Sequence, residues 1–213
     1  MDISRYLKLY LVLETSALRL QLDDFITQAA EGGVTAIQLR DKKTTAFERY
    51  HTAKKIKLLI GKKDILFIIN NNADIAAAVE AAGVHLGPED LPPAAVKRHF
   101  PDFYVGVSCN NYNDCAKANK ARADYAGAGP VFFTATKTNL RPPVGPSGIK
   151  NITAKLDMPA VAIGGLTAEN ITALKGCGVT GAAVSSALCC SETPYDTALA
   201  LRRVLDKILY ERV

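Results

Sequence analysis

Eight short apolar runs, evenly spaced along the chain, constrain the fold more than any other feature of this sequence. Most of them are continuously apolar rather than alternating, which is typical of strands that are covered on both faces. The pattern therefore predicts buried parallel strands. The runs cover residues 7–13, 36–40, 65–70, 83–87, 103–109, 124–132, 159–166 and 181–188.

Amphipathic stretches separate these runs. In residues 22–29 and 201–208 the apolar positions follow the i, i+3, i+4, i+7 spacing that places them on one helix face. Eight strand–helix alternations in 213 residues predict an α/β protein with a (β/α)8 TIM barrel. A doubly wound open sheet is the alternative, but it would normally have fewer strands and a clear switch point. No linker or change in composition divides the chain, so we expect one domain over residues 1–213.

Composition and charge narrow the function classes. The net charge is +5, and the Lys and Arg residues are dispersed rather than clustered with aromatic residues, which argues against nucleic-acid binding and fits a small polyanionic ligand. The five cysteines form no CxxC pair or zinc-type spacing, which predicts a reducing, cytoplasmic environment. The apolar start, residues 6–14, is too short to cross a bilayer, so no membrane partner is expected.

A barrel carries its chemistry at the carboxyl ends of its strands. After the second strand, Gln38 and Arg40 share the parity that points both side chains into the barrel, and Lys42 follows just beyond. Two cations directed at the barrel mouth are costly unless an anion binds there. We therefore expect an anionic ligand at this strand end.

The third and fourth strands are followed by polar turns. The three Asn residues at 70–72 can cap the next helix, and their amides can also bind a heteroaromatic base. Asp90 could cap the following helix or bind Mg²⁺. We find no Ser–His–Asp or Cys–His arrangement, and His85 inside the fourth strand is expected to serve packing.

The last strands indicate phosphate binding. The seventh strand ends in paired glycines that include Gly165, and the eighth contains Ser185 and Ser186. Small residues at these positions are typical of the phosphate pocket of this fold, where backbone N–H groups hold the anion.

The segment of residues 129–149 is predicted to be an irregular lid over the barrel mouth. Thr134, Thr136 and Lys137 supply two hydroxyls and an ammonium group, which suit a second anionic group. Three prolines limit the entropy of the segment, so closing it costs less free energy.

Seven motifs together resemble the thiamine phosphate synthase family in order and spacing, from about residue 6 to residue 190. They are IQLRDK, IINNNAD, GVHLGPED, GVS, GPVFFTATK, AIGGL and AVSSAL. The TATK loop combined with QLRxK and HLGxED is the most specific part. The resemblance implies a transferase of thiamine biosynthesis that joins hydroxymethylpyrimidine diphosphate to a thiazole phosphate and releases pyrophosphate with Mg²⁺.

The resemblance also implies a role for each matching residue. Catalytic roles would fall to Arg40, Ser108 and Lys137, and Mg²⁺ would be held by Asn71 and Asp90. Substrates would be bound by Gln38, Arg40, Lys42, Asn70, Ser108, Thr134, Thr136, Lys137, Gly165, Ser185 and Ser186.

Two departures bear on this interpretation. The family usually has Asp where this chain has Asn71, so weaker Mg²⁺ binding is expected. In the related thiazole tautomerases a catalytic histidine follows the fifth-strand serine by two residues, where this chain has Asn110. A tautomerase-like paralogue and a non-catalytic phosphate-binding barrel remain the alternatives. The sequence leaves the oligomeric state open, a homo-oligomer included.

Overall fold

Eight parallel strands close into a barrel in the computed structural model, which describes residues 2–134 and 142–210. Each strand pairs with the next along the chain, and β1 pairs with β8. The predicted (β/α)8 barrel is therefore confirmed and the open sheet is excluded. The strands are β1 Leu9–Leu13, β2 Ala36–Leu39, β3 Leu66–Asn70, β4 Gly83–Leu86, β5 Tyr104–Cys109, β6 Tyr125–Ala128, β7 Ala160–Ile163 and β8 Gly181–Val184.

Helices surround the barrel. In the described part of the chain, none of them is long and apolar enough to span a bilayer. Three short 3-10 helices cover Ile3–Tyr6, Thr15–Ala17 and Ile171–Leu174, and the last of these takes the place of an α-helix after β7. The α-helices are α1 Leu22–Glu31, α2 Ala46–Ile60, α3 Ala73–Ala78, α4 Pro93–His99, α5 Tyr112–Lys120, α6 Gly145–Thr153, α7 Ser186–Cys189 and α8 Pro194–Tyr210.

Two helix starts shape the barrel mouth. Thr45 and Glu48 form a capping box that fixes the first turn of α2, with the Thr45 amide donating to the Glu48 carboxylate over 2.7 Å. Helix α6 begins at Gly145, so the expectation of an irregular segment up to residue 149 was wrong. Pro146 is compatible with that helix because a first-turn residue needs no N–H donor.

Apolar side chains form two separate clusters. The larger cluster fills the space between the outer face of the barrel and the helices. The smaller one lies inside the barrel and includes Tyr10, Ile68 and Tyr125. Ile3 and Leu7 belong to the inner cluster, so the first 3-10 helix packs against the barrel interior. The amino-terminal part of the interior is apolar, whereas polar side chains collect toward the carboxyl ends of the strands.

Candidate active site

The described residues singled out from the sequence all lie at the carboxyl ends of the strands or in the loops that follow them. These residues therefore lie at one end of the barrel, and their role as a site stays a prediction. Thr136 and Lys137 lie outside the described residues. The others are Gln38, Arg40, Lys42, Asn70, Asn71, Asp90, Ser108, Thr134, Gly165, Ser185 and Ser186.

A chain of hydrogen bonds crosses the barrel interior beneath this mouth. The Gln38 amide Nε2 donates to the Tyr10 hydroxyl over 3.0 Å, and the Tyr10 and Tyr125 hydroxyls are 2.8 Å apart. The Tyr125 hydroxyl lies 3.2 Å from His85 Nδ1, and His85 Nε2 lies 3.1 Å from Ser108 Oγ. His85 thus connects polar groups, and the expectation that it serves packing missed this role.

Glycines on neighbouring strands make space for the side chains of this hydrogen-bond chain. A Cβ on Gly106 would lie 2.1 Å from Tyr125 Cζ, and a Cβ on Gly127 would lie 3.3 Å from His85 Cε1. Burial raises the pKa of the Tyr10 and Tyr125 hydroxyls well above their usual value. Both phenols therefore stay neutral and able to donate.

Arg40 already has an anionic partner within the protein. Its buried guanidinium donates to Glu14 at the end of β1, and only 9% of the Arg40 side chain is exposed. The neighbouring Asp41 carboxylate accepts from the backbone N–H and the hydroxyl of Thr15 over 2.8 and 2.6 Å. The cation at Arg40 is therefore balanced by Glu14, and its presence does not by itself require an anionic ligand.

A cavity of about 240 Å³ lies beside this pair, and Arg49 of α2 contributes to its wall. Arg49 donates to the Asp41 carbonyl (3.0 Å), the Thr44 carbonyl (2.8 Å) and the Asn72 side chain (2.7 Å). A guanidinium carries five N–H groups, so two remain available. Among residues 2–134 and 142–210, Arg49 forms no ion pair. The cavity is lined by Asp41, Lys42, Arg49, Asn70, Asn71 and Asn72.

The turn after β3 is arranged differently from the predicted helix cap. Asn72 occupies the N-cap position of α3 but makes no side-chain capping bond, because its oxygen accepts from Arg49. Asn71 adopts a positive φ of 67°, which Asn tolerates better than most residues, and its side-chain oxygen accepts from the Asn70 amide over 2.6 Å. The Asn residues therefore connect the cavity wall to α2 and to one another.

Asp90 also departs from the capping alternative. Its carboxylate accepts from the Gly87 amide over 2.6 Å within the loop after β4, and α4 begins without a side-chain cap. Asp90 and Asn71 both line a second cavity of about 570 Å³, together with Asp74. Such a volume is within the range of small-molecule pockets.

The donors around this second cavity fit Mg²⁺ in kind. Carboxylate and amide oxygens are the ligands that this hard cation accepts, and it commonly uses only one or two carboxylates when a diphosphate supplies further oxygens. In the part of the chain that the structure describes, no three His, Cys, Asp or Glu side chains cluster as metal ligands. An ion here would therefore depend on substrate oxygens as well as on Asn71 and Asp90.

The ends of β7 and β8 bring small residues together. Gly165 has a φ of +63°, and a Cβ there would lie 2.4 Å from the Phe133 carbonyl oxygen, so glycine lets the loop after β6 approach β7. Ser185 is the N-cap residue of α7, and Ser186, the first residue of that helix, is exposed. Because β7 and β8 are paired, these residues follow adjacent strands.

Several site residues were missed by the sequence reasoning. Strand parity could have identified Tyr10, because it faces the interior like Gln38, but aromatic residues in strands are usually ascribed to packing. Glu14 follows the last residue of β1 and could have been considered as a partner for Arg40. Nothing in the sequence marks Arg49, because only the packing of α2 brings it to the cavity.

The position that would carry a tautomerase histidine has a structural role. Asn110 donates from its side chain to the Gly129 carbonyl, and its backbone N–H donates to Asp114 over 2.9 Å. Its amide is therefore engaged with the end of β6.

Comparisons with known proteins agree with the geometry. The family model described as "Thiamine monophosphate synthase" matches residues 9–188. A thiamine-phosphate synthase of Pyrococcus furiosus is 36% identical over 98% of this chain and 100% of that protein. One from Clostridium novyi is 38% identical over 85% of this chain and 90% of its own length.

Two solved structures are similar to this chain. The thiamine phosphate pyrophosphorylase from Pyrococcus furiosus superposes with a TM-score of 0.89 at 34% identity, covering 98% of this chain and all of that one. The 3-hexulose-6-phosphate synthase from Salmonella typhimurium reaches a TM-score of 0.72 at 15% identity, covering 94% of this chain and 99% of that one. The second likeness concerns the fold alone.

Proposed function

Because this chain belongs to the thiamine monophosphate synthase family, we propose that its barrel joins hydroxymethylpyrimidine diphosphate to a thiazole phosphate. The protein is a transferase of thiamine biosynthesis. The observation that carries this function is the match to the Pyrococcus furiosus enzyme over 98% of this chain and the whole of that protein. The tautomerase alternative loses support because Asn110, where its histidine would be, is engaged in structural hydrogen bonds.

The pyrimidine ring would bind between Gln38 and Ser108. Both side chains face the interior at the carboxyl ends of β2 and β5, and both are held from below by the hydrogen-bond chain through Tyr10, Tyr125 and His85. A ring held there would direct its carbinyl carbon toward the open mouth. We therefore propose that Ser108 takes part in the reaction by holding the ring in this orientation.

The diphosphate would occupy the cavity lined by Lys42, Arg49 and Asn70. Lys42 is exposed, and Arg49 keeps two N–H donors unused, so both can bind phosphate oxygens. Arg40 would contribute less net charge than the sequence implied, because Glu14 neutralises it. Lys137 remains a sequence-based proposal for binding the leaving group, since it lies outside the described residues.

Mg²⁺ would be held by Asp90 and Asn71 together with the diphosphate, and when bound it would offset charge on the departing pyrophosphate. Asn71 supplies an oxygen but no charge. We therefore propose that this chain relies more than its relatives on the cations of Lys42 and Arg49 for the same task.

The thiazole phosphate would bind at Gly165, Ser185 and Ser186, where backbone N–H groups and hydroxyls follow two adjacent strands. Thr134 would approach the same substrate from the loop after β6. Thr136 remains a sequence-based proposal for binding this substrate, since it lies outside the described residues. Two phosphate-bearing substrates would thus enter from opposite sides of one mouth.

The reaction in this site requires no strong base. The bond between the carbinyl carbon and the bridging oxygen breaks, and its electron pair leaves with pyrophosphate. The ring nitrogen of the thiazole then donates its electron pair to the same carbon. The protein's contribution is to stabilise the leaving group and to hold the nitrogen in line. This accounts for a site without a nucleophile–base pair.

One assay tests the function directly. Purified protein is incubated with both substrates and Mg²⁺, and thiamine phosphate and pyrophosphate are quantified. Equal amounts of the two products are expected. Thiazole isomerisation without condensation would support the tautomerase alternative, and binding of both ligands without any product would support a binding protein.

Two sequence-based expectations remain proposals. All five cysteines are free thiols in the structure, which supports a reducing, cytoplasmic environment. A homo-oligomer stays an untested option.

A further inference from the structure

The hydrogen-bond chain inside the barrel has a direction, and the structure allows that direction to be read. The Gln38 Nε2 group can only donate, so the Tyr10 hydroxyl accepts at this contact. A neutral hydroxyl has one proton, and the Tyr10 proton therefore points to the Tyr125 oxygen 2.8 Å away.

The remaining hydrogen bonds have defined donors as well. The Tyr125 hydroxyl accepts from Tyr10, so its own proton goes to His85 Nδ1 at 3.2 Å. A neutral imidazole that accepts at Nδ1 carries its proton on Nε2, and this N–H donates to Ser108 Oγ at 3.1 Å. The Ser108 hydroxyl proton is then left free to donate elsewhere.

The two ends of the chain face the mouth with defined polarity. In the described residues no buried side-chain oxygen or nitrogen lacks a partner. Gln38 Oε1 accepts no hydrogen bond from the described residues, so it is not fully buried and can accept a hydrogen bond from a ligand. Ser108 is half-buried and offers its hydroxyl as a donor. The interior thus presents one acceptor and one donor to a ligand.

We propose that Tyr10, Tyr125 and His85 are positioning residues that hold His85 as the Nε2-protonated tautomer and thereby make the site specific for an amino-substituted pyrimidine. In such a ring the amino group donates to Gln38 Oε1, and the adjacent unprotonated ring nitrogen accepts from the Ser108 hydroxyl. A 4-oxo ring presents a carbonyl and a ring N–H, which is the opposite polarity. The specificity rests on the proposed function, whereas the tautomer does not depend on it.

The residues around the hydrogen-bond chain leave space for it and keep it buried. Gly106 and Gly127 leave the space that Tyr125 and His85 occupy, and burial keeps both phenols protonated. A buried polar chain that is fully satisfied holds its members in one arrangement. An apolar barrel interior would fill the same volume but could not fix the proton positions at Gln38 and Ser108.

The first test measures the tautomer without any substrate. Nitrogen-15 NMR of the imidazoles, with His51 and His99 as internal references and His85→Gln for assignment, should show the Nε2-protonated form of His85. Tyr125→Phe should yield a mixture of tautomers. An Nδ1-protonated His85 in the native protein would reverse the chain and overturn the proposal, even if the enzyme makes thiamine phosphate.

The second test measures ligand discrimination by calorimetry, using the 4-amino pyrimidine diphosphate and its 4-oxo analogue with no thiazole phosphate present. Tyr125→Phe should reduce the preference for the amino ring by about tenfold, the scale of one hydrogen bond to an uncompensated partner. Tyr6→Phe is the matched control, since its hydroxyl binds the exposed Asp64 and takes no part in the hydrogen-bond chain. Unchanged discrimination in a folded Tyr125→Phe protein would refute the specificity role.

Discussion

The barrel interior and the cavity at its rim differ in how their polar groups are partnered. In the interior, Gln38, His85 and Ser108 are joined to two buried tyrosines by hydrogen bonds of 2.8–3.2 Å. At the rim, Lys42 and Arg49 are charged and keep donors unused. Folding alone therefore fixes the arrangement of the interior side chains, whereas the cations at the rim gain their partner only when an anion binds.

The two kinds of recognition have different structural requirements. Proton positions that distinguish two rings must be fixed in advance, and a buried chain does so because its members have no competing water. Phosphate binding needs charge more than exact geometry, so it can be left near solvent. Changes in the interior should therefore affect folding and ring specificity, and changes at the rim should affect diphosphate and metal affinity.

Gly106→Ala is expected to have the largest effect, because its Cβ would lie 2.1 Å from Tyr125 Cζ. Displacing Tyr125 should lower the free energy of unfolding by about 3 kcal/mol and should disrupt the hydrogen bonds of Tyr125 to Tyr10 and His85. Urea unfolding measures the first consequence. Gly127→Ala is the matched variant, since its contact with His85 is 3.3 Å, and it should cost about 1 kcal/mol. Equal effects in the two variants would show that interior space is not what these glycines provide.

Arg49→Gln tests the rim. Losing one or two charge-assisted bonds to the diphosphate should raise KM for the pyrimidine substrate by about tenfold or more. Because Arg49 also donates to Asp41, Thr44 and Asn72, the free energy of unfolding should fall by about 1 kcal/mol as well. Steady-state kinetics with saturating thiazole phosphate measure this. Arg98→Gln, which removes an exposed arginine at the end of α4, is the control. A KM within twofold of the native value would place Arg49 outside the diphosphate site.

Asn71→Asp should strengthen Mg²⁺ binding at the rim. Adding a carboxylate beside Asp90 should lower the Mg²⁺ concentration that gives half-maximal activity, since the ion gains a charged ligand. A Mg²⁺ titration at saturating pyrimidine diphosphate compares the two proteins. Asn119→Asp adds the same charge at the end of α5 and should leave the titration unchanged. Superimposable curves for Asn71→Asp and the native protein would mean that position 71 does not contact the metal.

Asp206→Asn should have the smallest effect and belongs to neither region. Burial alone would raise the pKa of Asp206, but hydrogen bonds from Lys8 and Arg202 outweigh it and lower the pKa below its usual value. The ionised carboxylate therefore adds stability above the unfolded-state pKa, and this stability is lost as pH falls through the folded-state pKa. With 41% of the Asp206 side chain exposed, the contribution at pH 7 should be below about 1 kcal/mol.

The measurement is urea unfolding of the native and Asp206→Asn proteins at pH 7 and below pH 4. The difference between them should shrink at the lower pH, and the kinetics should match at pH 7. A change in KM would show that the charges of Lys8 and Asp206 influence substrate binding. It would contradict the statement that Asp206 belongs to neither the interior nor the rim.

Much of the architecture could be predicted because strand burial and helix periodicity are local properties of the sequence. The eight apolar runs each contain one of the observed strands, and the turns after them carry the polar residues that line the mouth. The irregular segment after β6 was assigned too long because its three prolines were all counted as part of one lid. A first-turn proline is tolerated, and α6 begins at Gly145.

The barrel, the family and the placement of the candidate residues at the carboxyl ends of the strands could be predicted from the sequence, because they depend on local apolar runs and short motifs. Which polar groups meet depends on the tertiary structure. Glu14 neutralises Arg40 across 26 positions, Arg49 reaches the turn after β3, and Tyr10 meets Tyr125 across 115 positions. Such contacts arise from barrel closure, which brings distant strands together at distances that no local pattern encodes.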